Sequence, residues 1–120
     1  KGNMKDTTIV VISDHNYNMP GPYSLGELED WKKELTLPYL NIILDKDMKN
    51  FDEIKENLIY NENIMVNPYD VHSTILSLFN KSISKTNRGK SLFYEKFSLD
   101  PSERSCKQMK IKEDWCRCSE

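Results

Sequence analysis

The sequence has 120 residues, a length that supports one small domain with a hydrophobic core. Its 17 basic residues nearly balance 19 acidic ones, and a net charge of −2 argues against a protein that binds nucleic acid through a basic face. No apolar run approaches the roughly 20 residues that cross a bilayer, so the sequence predicts no membrane span in this segment.

The first predicted element is a β-strand over residues 7–13. Its sequence, TTIVVIS, is a continuous apolar run without alternation, which is typical of a strand buried on both faces of a parallel sheet. Residues 16–26 contain two prolines, two glycines and two asparagines, so they predict a loop. Leu28, Trp31 and Leu35 then recur at helical spacing, and they predict a short amphipathic helix.

Three further elements follow in chain order. Residues 40–44, LNIIL, predict a second strand, and apolar residues at helical spacing from Met48 to Leu58 predict a surface helix. Asn67 and Pro68 then look like the cap and first position of a strongly apolar helix that ends near Phe79. Residues 91–94, SLFY, are a short extended candidate before a tail that contains cysteines.

The order strand, helix, strand, helix, helix predicts an α/β fold. Two or three short strands make a poor sheet alone, so we expect the segment to be part of a larger doubly wound sheet with flanking helices. The chain begins at Lys1 without a methionine or a signal peptide. The expectation is therefore a fragment whose targeting segment and partner strands lie in the upstream part of the same polypeptide.

Asp14 and His15 come directly after the first predicted strand. In open α/β sheets ligands bind beyond the carboxyl ends of the strands, where both side chains can converge on one point. A carboxylate oxygen with an imidazole nitrogen suits Zn²⁺ or Mn²⁺ better than Ca²⁺ or Mg²⁺. The plainer interpretation is a turn aspartate followed by an exposed histidine.

Cys106, Cys116 and Cys118 are the three cysteines, and all lie in the last fifteen residues. Their spacing lacks the four ligands of a common zinc site, so disulfide bonding is the favoured interpretation, with one thiol left for a partner elsewhere. Asn80 begins the triplet Asn-Lys-Ser, a candidate N-glycosylation sequon. Disulfides and a glycan both indicate an extracellular or secretory-pathway lumenal protein.

Four stretches of the sequence carry a family resemblance. TTIVVISDHN resembles the strand and metal-binding turn of the alkaline phosphatase and sulfatase superfamily, where the turn reads S-D-H-G. LTLPYLNIIL and NPYDVHSTILSLF look like later elements of sulfatase-like enzymes. The last stretch, GKSLFYEKFSLDPSERSCKQMKIKEDWCRC, resembles the end of the catalytic domain in the animal family called domain of unknown function 229, whose members are sulfatase-like and secretory.

The resemblance implies an alkaline-phosphatase-like domain at residues 1–94 and a cysteine-containing extended tail at residues 95–120. It also implies a metal-dependent hydrolase or transferase acting on a small anionic phosphate or sulfate ester. Asp14 and His15 would be metal ligands, and the cation would bind only with further ligands from upstream. Nothing in residues 1–120 matches the nucleophile of that superfamily, so the catalytic nucleophile is expected outside this chain.

Asn16 and the missing nucleophile leave other interpretations open. Asn16 stands where the family pattern has glycine, and its side chain would crowd the site, so a non-catalytic secreted protein that keeps the fold as a binding module is the alternative. A small disulfide-tied module outside the superfamily is a third.

His72 is a candidate substrate contact or supporting residue, or else a histidine that packs on a half-buried helix face. Asp70 is expected to support a neighbouring backbone group or that histidine.

Overall fold

The computed structural model of the chain describes residues 7–14, 36–86, 88–100 and 102–116. The chain divides into two compact units, Lys49–Ile111 and a second unit formed by Lys1–Met48 with Lys112–Glu120. The helix predicted around Trp31 lies outside the described residues. The fold is a small mixed α/β arrangement, and the doubly wound sheet remains an expectation.

Two strands lie in the smaller unit. Strand β1 spans Ile9–Ile12 and strand β2 spans Leu40–Ile43, so both predicted strands are confirmed within a residue or two. They pair antiparallel, with Ile9 opposite Ile43 and Ile12 opposite Leu40. A parallel sheet was expected, but a run of β-branched residues favours a strand without encoding the direction of its partner.

The burial of β1 also differs from the expectation of a strand covered on both faces. Val11 is 46% exposed and Ile12 is 53% exposed, and Ile43 on β2 is exposed as well. Within its unit, this pair of strands therefore presents apolar side chains to solvent.

Two helices form the frame of the larger unit. Helix α1 spans Phe51–Asn61 and begins after Asn50, which has a left-handed backbone with φ of 63°. Asparagine tolerates that conformation better than most residues. Helix α2 spans Pro68–Phe79, as the sequence predicted. None of the helices in the described part of the chain is long and apolar enough to cross a membrane.

Helix α2 begins with a reciprocal pair of capping bonds. The Asn67 side-chain oxygen accepts the backbone N–H groups of Tyr69 at 2.8 Å and Asp70 at 3.0 Å. The Asp70 carboxylate in return accepts the Asn67 backbone N–H at 3.0 Å. These bonds satisfy donors that have no partner inside the helix, and Pro68 lacks such a donor altogether. The predicted helix start is confirmed.

A long connection returns from α2 to pack against both helices. It begins with a 3₁₀ turn at Lys81–Ile83, and a second 3₁₀ turn lies at Glu113–Trp115 in the smaller unit. Residues 91–94 form a turn rather than the predicted extended segment. The buried apolar residues of the larger unit come from the two helices and this connection, and they are Ile54, Val71, Leu92, Phe93 and Phe97.

Candidate functional site

The carboxyl end of β1 is fixed by two hydrogen bonds at Ser13. The Ser13 backbone N–H donates to the Tyr39 carbonyl oxygen at 3.0 Å, and the Tyr39 N–H donates to Ser13 Oγ at 2.8 Å. Asp14 follows immediately and is exposed at the point where the chain leaves the strand. The local sequence thus anchors the residue before Asp14 and presents an acidic side chain just beyond the strand end.

The other two residues of the predicted turn, His15 and Asn16, lie outside the described residues. A carboxylate and an adjacent imidazole provide one oxygen and one nitrogen donor, a combination found at zinc and manganese sites. Among the residues that the structure describes, no three histidine, cysteine, aspartate or glutamate side chains form a cluster that could hold a metal. The assignment of Asp14 and His15 as metal ligands stays a prediction from the sequence.

His72 and Asp70, neighbours on α2, have different surroundings. His72 is exposed, and its side chain makes no hydrogen bond or ion pair with any residue that the structure describes. Asp70 is buried and accepts backbone N–H groups, which confirms the expectation that it supports neighbouring backbone. The role of His72 as a substrate contact stays a prediction.

Asp70 is the centre of a buried polar cluster that the sequence did not indicate. One carboxylate oxygen accepts the Lys90 backbone N–H at 2.9 Å, and the other accepts the Arg104 guanidinium. The Asp70 side chain is 1% exposed and that of Arg104 is 10% exposed. This ion pair connects the start of α2, the turn before Lys90 and the segment that contains the Arg-Ser-Cys motif.

The Arg104 side chain is held by two further contacts. Its Nε donates to the Met65 carbonyl oxygen at 2.9 Å, and its guanidinium lies 4.1 Å from the centre of the Phe97 ring. A planar guanidinium can hold a carboxylate, a carbonyl and an aromatic face at once, which lysine cannot do. These contacts give a structural reason for the arginine of the Arg-Ser-Cys motif.

Gly89 fits against the first turn of α2 only because it has no side chain. A Cβ atom at this position would lie 2.1 Å from the Tyr69 carbonyl oxygen and 2.8 Å from the Asp70 backbone nitrogen. These are backbone atoms, so no side-chain rotation could relieve the clash. The glycine of the G-K-S-L-F stretch is thus explained by packing, and the contact positions Lys90 to bond Asp70.

Two of the three candidate cysteines form a disulfide. Cys106 and Cys116 are bonded to each other, and Cys118 lies outside the described residues. The disulfide interpretation is therefore confirmed for Cys106 and Cys116.

Asp100, just before this segment, accepts the Ser102 backbone N–H at 2.8 Å. Hydrogen bonding from Ser102 holds the pKa of the Asp100 carboxyl below its ordinary value.

The chain was compared with family models, curated proteins and solved structures. No curated protein and no solved structure matches the chain. A family model described as "Protein of unknown function (DUF229)" matches residues 1–120. The strand end at Ser13, the glycine packed on α2 and the disulfide all lie within the matched residues. The chain belongs to this DUF229 family.

Proposed function

We propose that the chain is part of a metal-dependent hydrolase or transferase of phosphate or sulfate esters, with Asp14 and His15 as ligands of a divalent cation. The observation that carries the proposal is the position of Asp14, exposed directly after a strand whose end is anchored by Ser13 and Tyr39. Ligand-binding side chains of α/β enzymes occupy this position beyond strand ends. The resemblance of SDHN to the superfamily's metal-binding turn supplies the chemistry.

The donor types at this turn fit Zn²⁺ or Mn²⁺. When bound, such a cation neutralises charge on phosphoryl or sulfuryl oxygens and lowers the pKa of a coordinated hydroxyl or water. Asp14 would provide a negatively charged oxygen ligand, and His15 would provide a neutral nitrogen ligand. The nucleophile and the remaining ligands are proposed to come from parts of the protein outside residues 1–120.

Exposed apolar side chains support the proposal that β1 and β2 belong to a larger sheet. An isolated pair of strands is marginally stable in water, and three or more strands or a covering helix are usually needed. Val11, Ile12 and Ile43 present large apolar surfaces within this unit. Burying them against further strands or helices of the same protein would give the continuous apolar run of β1 its physical purpose.

The disulfide supports a location in the secretory pathway or outside the cell. Disulfides persist in oxidising compartments and are rare in the cytosol, where thiols are kept reduced. The bond between Cys106 and Cys116 therefore agrees with a secreted or lumenal protein. Extracellular or lumenal sulfate and phosphate esters are the corresponding substrate class for the proposed enzyme.

The complete protein, produced in secreting cells, can be assayed with chromogenic aryl phosphates and aryl sulfates in the presence of Zn²⁺ or Mn²⁺. We expect hydrolysis of one ester class and a fall in kcat/KM of at least about 100-fold for Asp14→Asn, which keeps the side-chain shape but removes the charge. Asp47→Asn, an exposed aspartate in the loop after β2, is the matched control and should retain activity.

The alternative function is a secreted binding module that keeps the fold without catalysis. Asn16 favours it, because asparagine in place of the family glycine adds a side chain where a substrate would approach the backbone. The same assay separates the two functions. A folded, metal-loaded protein that hydrolyses neither ester class, and that gains no activity on Asn16→Gly, would contradict the enzyme and support the binding module.

A further inference from the structure

Asn80 begins the only Asn-x-Ser/Thr triplet among the eleven asparagines of the sequence, and its surroundings in the structure are those of a modification site. It follows the last residue of α2, and all residues from Leu78 to Ser82 are exposed. The backbone leaves the helix here in an extended conformation, with φ of −152° and ψ of 108° at Asn80. The acceptor amide therefore lies on an accessible corner rather than along a helix.

The hydrogen bonds of Asn80 fix the orientation of its amide. Its side-chain oxygen accepts the Ser82 backbone N–H at 3.0 Å and the Ser82 hydroxyl at 2.6 Å. A backbone N–H can only donate, so the atom that faces Ser82 must be Oδ1. The amide nitrogen Nδ2 consequently points away from Ser82, and it donates to no residue that the structure describes.

The middle residue of the triplet is held to one side. Lys81 Nζ pairs with the Glu53 carboxylate at 3.0 Å and lies 4.5 Å from the centre of the Tyr94 ring. These contacts direct the lysine side chain toward α1 and the returning connection. The side chain between the acceptor and the hydroxyl is therefore already engaged elsewhere.

Three other asparagines of the same unit have side-chain amide nitrogens that are engaged in contacts, unlike that of Asn80. Asn57 and Asn61 are buried, and their amide nitrogens donate to backbone carbonyl oxygens of the returning connection. The Asn67 amide nitrogen contacts the Met109 sulfur at 3.0 Å. A bulky group on any of these nitrogens would break packing, whereas one on Asn80 would extend into solvent.

From this geometry we propose that Asn80 carries an N-linked glycan, an inference that rests on the proposed secretory location but not on the proposed catalysis. The co-reactant is a lipid-pyrophosphate-linked oligosaccharide of the secretory pathway. A bond forms between Asn80 Nδ2 and the anomeric carbon of the first sugar, and that carbon's bond to the pyrophosphate oxygen breaks. The lipid pyrophosphate leaves with the bonding electron pair, and the amide nitrogen loses one proton.

The test is to produce the complete protein in secreting animal cells and map the peptide that contains Asn80 by mass spectrometry before and after peptide-N-glycosidase treatment in heavy-oxygen water. We expect a glycan on this peptide and its conversion to a labelled aspartate on enzymatic removal. Asn80→Asp keeps the oxygen that accepts from Ser82 and should abolish the glycan. Ser82→Ala should abolish it also, while Ser82→Thr should retain it.

Asn63→Gln is the matched control, because Asn63 is an exposed asparagine outside any sequon and its loss should leave the glycan unchanged. Secreted protein with an unmodified Asn80 would overturn the inference and leave the proposed location standing. Retention of the protein in the cytosol would overturn both the location and the glycan. Neither outcome bears on catalysis, which the ester assay measures separately.

Discussion

Gly89 shows at the scale of one residue how the returning connection is fixed to α2. Its Cα lies so close to the Tyr69 carbonyl group that a methyl group on it would overlap backbone atoms. We expect Gly89→Ala to lower the free energy of unfolding by about 2 kcal/mol or more, because the turn must move away and weaken the bond from Lys90 to Asp70. Chemical denaturation of the complete protein would measure this loss.

Lys85→Ala is the comparison for Gly89→Ala, since Lys85 is exposed on the same connection. Its effect should stay within about 0.5 kcal/mol. Equal stabilities of the two variants would contradict the close packing described for Gly89.

Asp70 and Arg104 form the second residue-scale feature with a measurable consequence. Removing one member leaves the other charged, buried and without its partner, which typically costs about 3–5 kcal/mol. We expect Asp70→Ala to show a loss of this size in denaturant unfolding. Glu53→Ala, which breaks the half-exposed pair with Lys81, should cost less than about 1 kcal/mol.

The double variant Asp70→Asn with Arg104→Leu removes both charges and distinguishes a paired cluster from two independent residues. It should be more stable than Asp70→Ala, because no unpaired buried charge remains. The losses of Asp70→Asn and of Arg104→Leu are measured separately for comparison. If the loss of the double variant equals the sum of these two losses, the two side chains do not stabilise the fold through each other.

Sequence reasoning at this scale succeeded where the signal was local. Asn67 and Pro68 are adjacent, and together with Asp70 they form a cap whose chemistry is readable from four consecutive residues. The partner of Asp70 in the ion pair lies 34 positions away, and no periodicity or motif connects them. Gly89 could be noted as part of a motif, but the backbone that approaches it is visible only in the fold.

Helix α1 holds the returning connection mainly through side-chain amides. Asn61 Nδ2 donates to the Glu95 carbonyl oxygen at 2.8 Å, and Asn61 Oδ1 accepts the Phe97 N–H at 2.9 Å. Asn57 Nδ2 donates to the Phe93 carbonyl oxygen at 2.7 Å. The two asparagines therefore satisfy buried backbone groups in a segment that has no regular secondary structure of its own.

Truncating Asn61 should show how much its side-chain hydrogen bonds contribute to the free energy of unfolding. Asn61→Ala leaves the partly buried Glu95 carbonyl and the buried Phe97 N–H without this partner, and we expect a loss of about 2–4 kcal/mol in unfolding free energy. Asn63→Ala, two residues later and exposed, is the control and should change stability by less than about 0.5 kcal/mol. A loss for Asn61→Ala as small as that of the control would contradict the bridging role.

Helix α2 was predicted in its bounds but not in the face that it buries. The sequence predicted a strongly apolar helix, yet Leu78 and Phe79 at its end are exposed, Phe79 at 85%. The buried polar residues of this helix are Asp70, Ser73, Thr74 and Ser77. The Asp70 carboxylate and the three hydroxyls bond the connection, as when Thr74 Oγ1 accepts the Leu92 N–H at 2.9 Å. Hydrophobic periodicity could not reveal this, because the helix packs on irregular backbone whose polar groups need partners.

At the scale of the whole molecule, the sequence indicated two strands, two helices and a disulfide-forming tail that the structure confirms, besides a helix around Trp31 that lies outside the described residues. It could not indicate the antiparallel pairing of β1 and β2, because strand direction depends on the path of the connection rather than on the residues that pair. The family, by contrast, was accessible from spaced motifs, of which Gly89, Arg104 and Cys106 have structural explanations here. The role of Asp14 as a metal ligand stays a prediction.

Metal content shows whether Asp14 and His15 bind a divalent cation, as we propose. The complete protein, its Asp14→Asn variant and the Asp47→Asn control can be purified in parallel, dialysed against trace metal and analysed by inductively coupled plasma mass spectrometry. We expect stoichiometric zinc or manganese in the parent and the control, with a severalfold loss in Asp14→Asn. Equal metal content in all three folded proteins, or none in any of them, would contradict it.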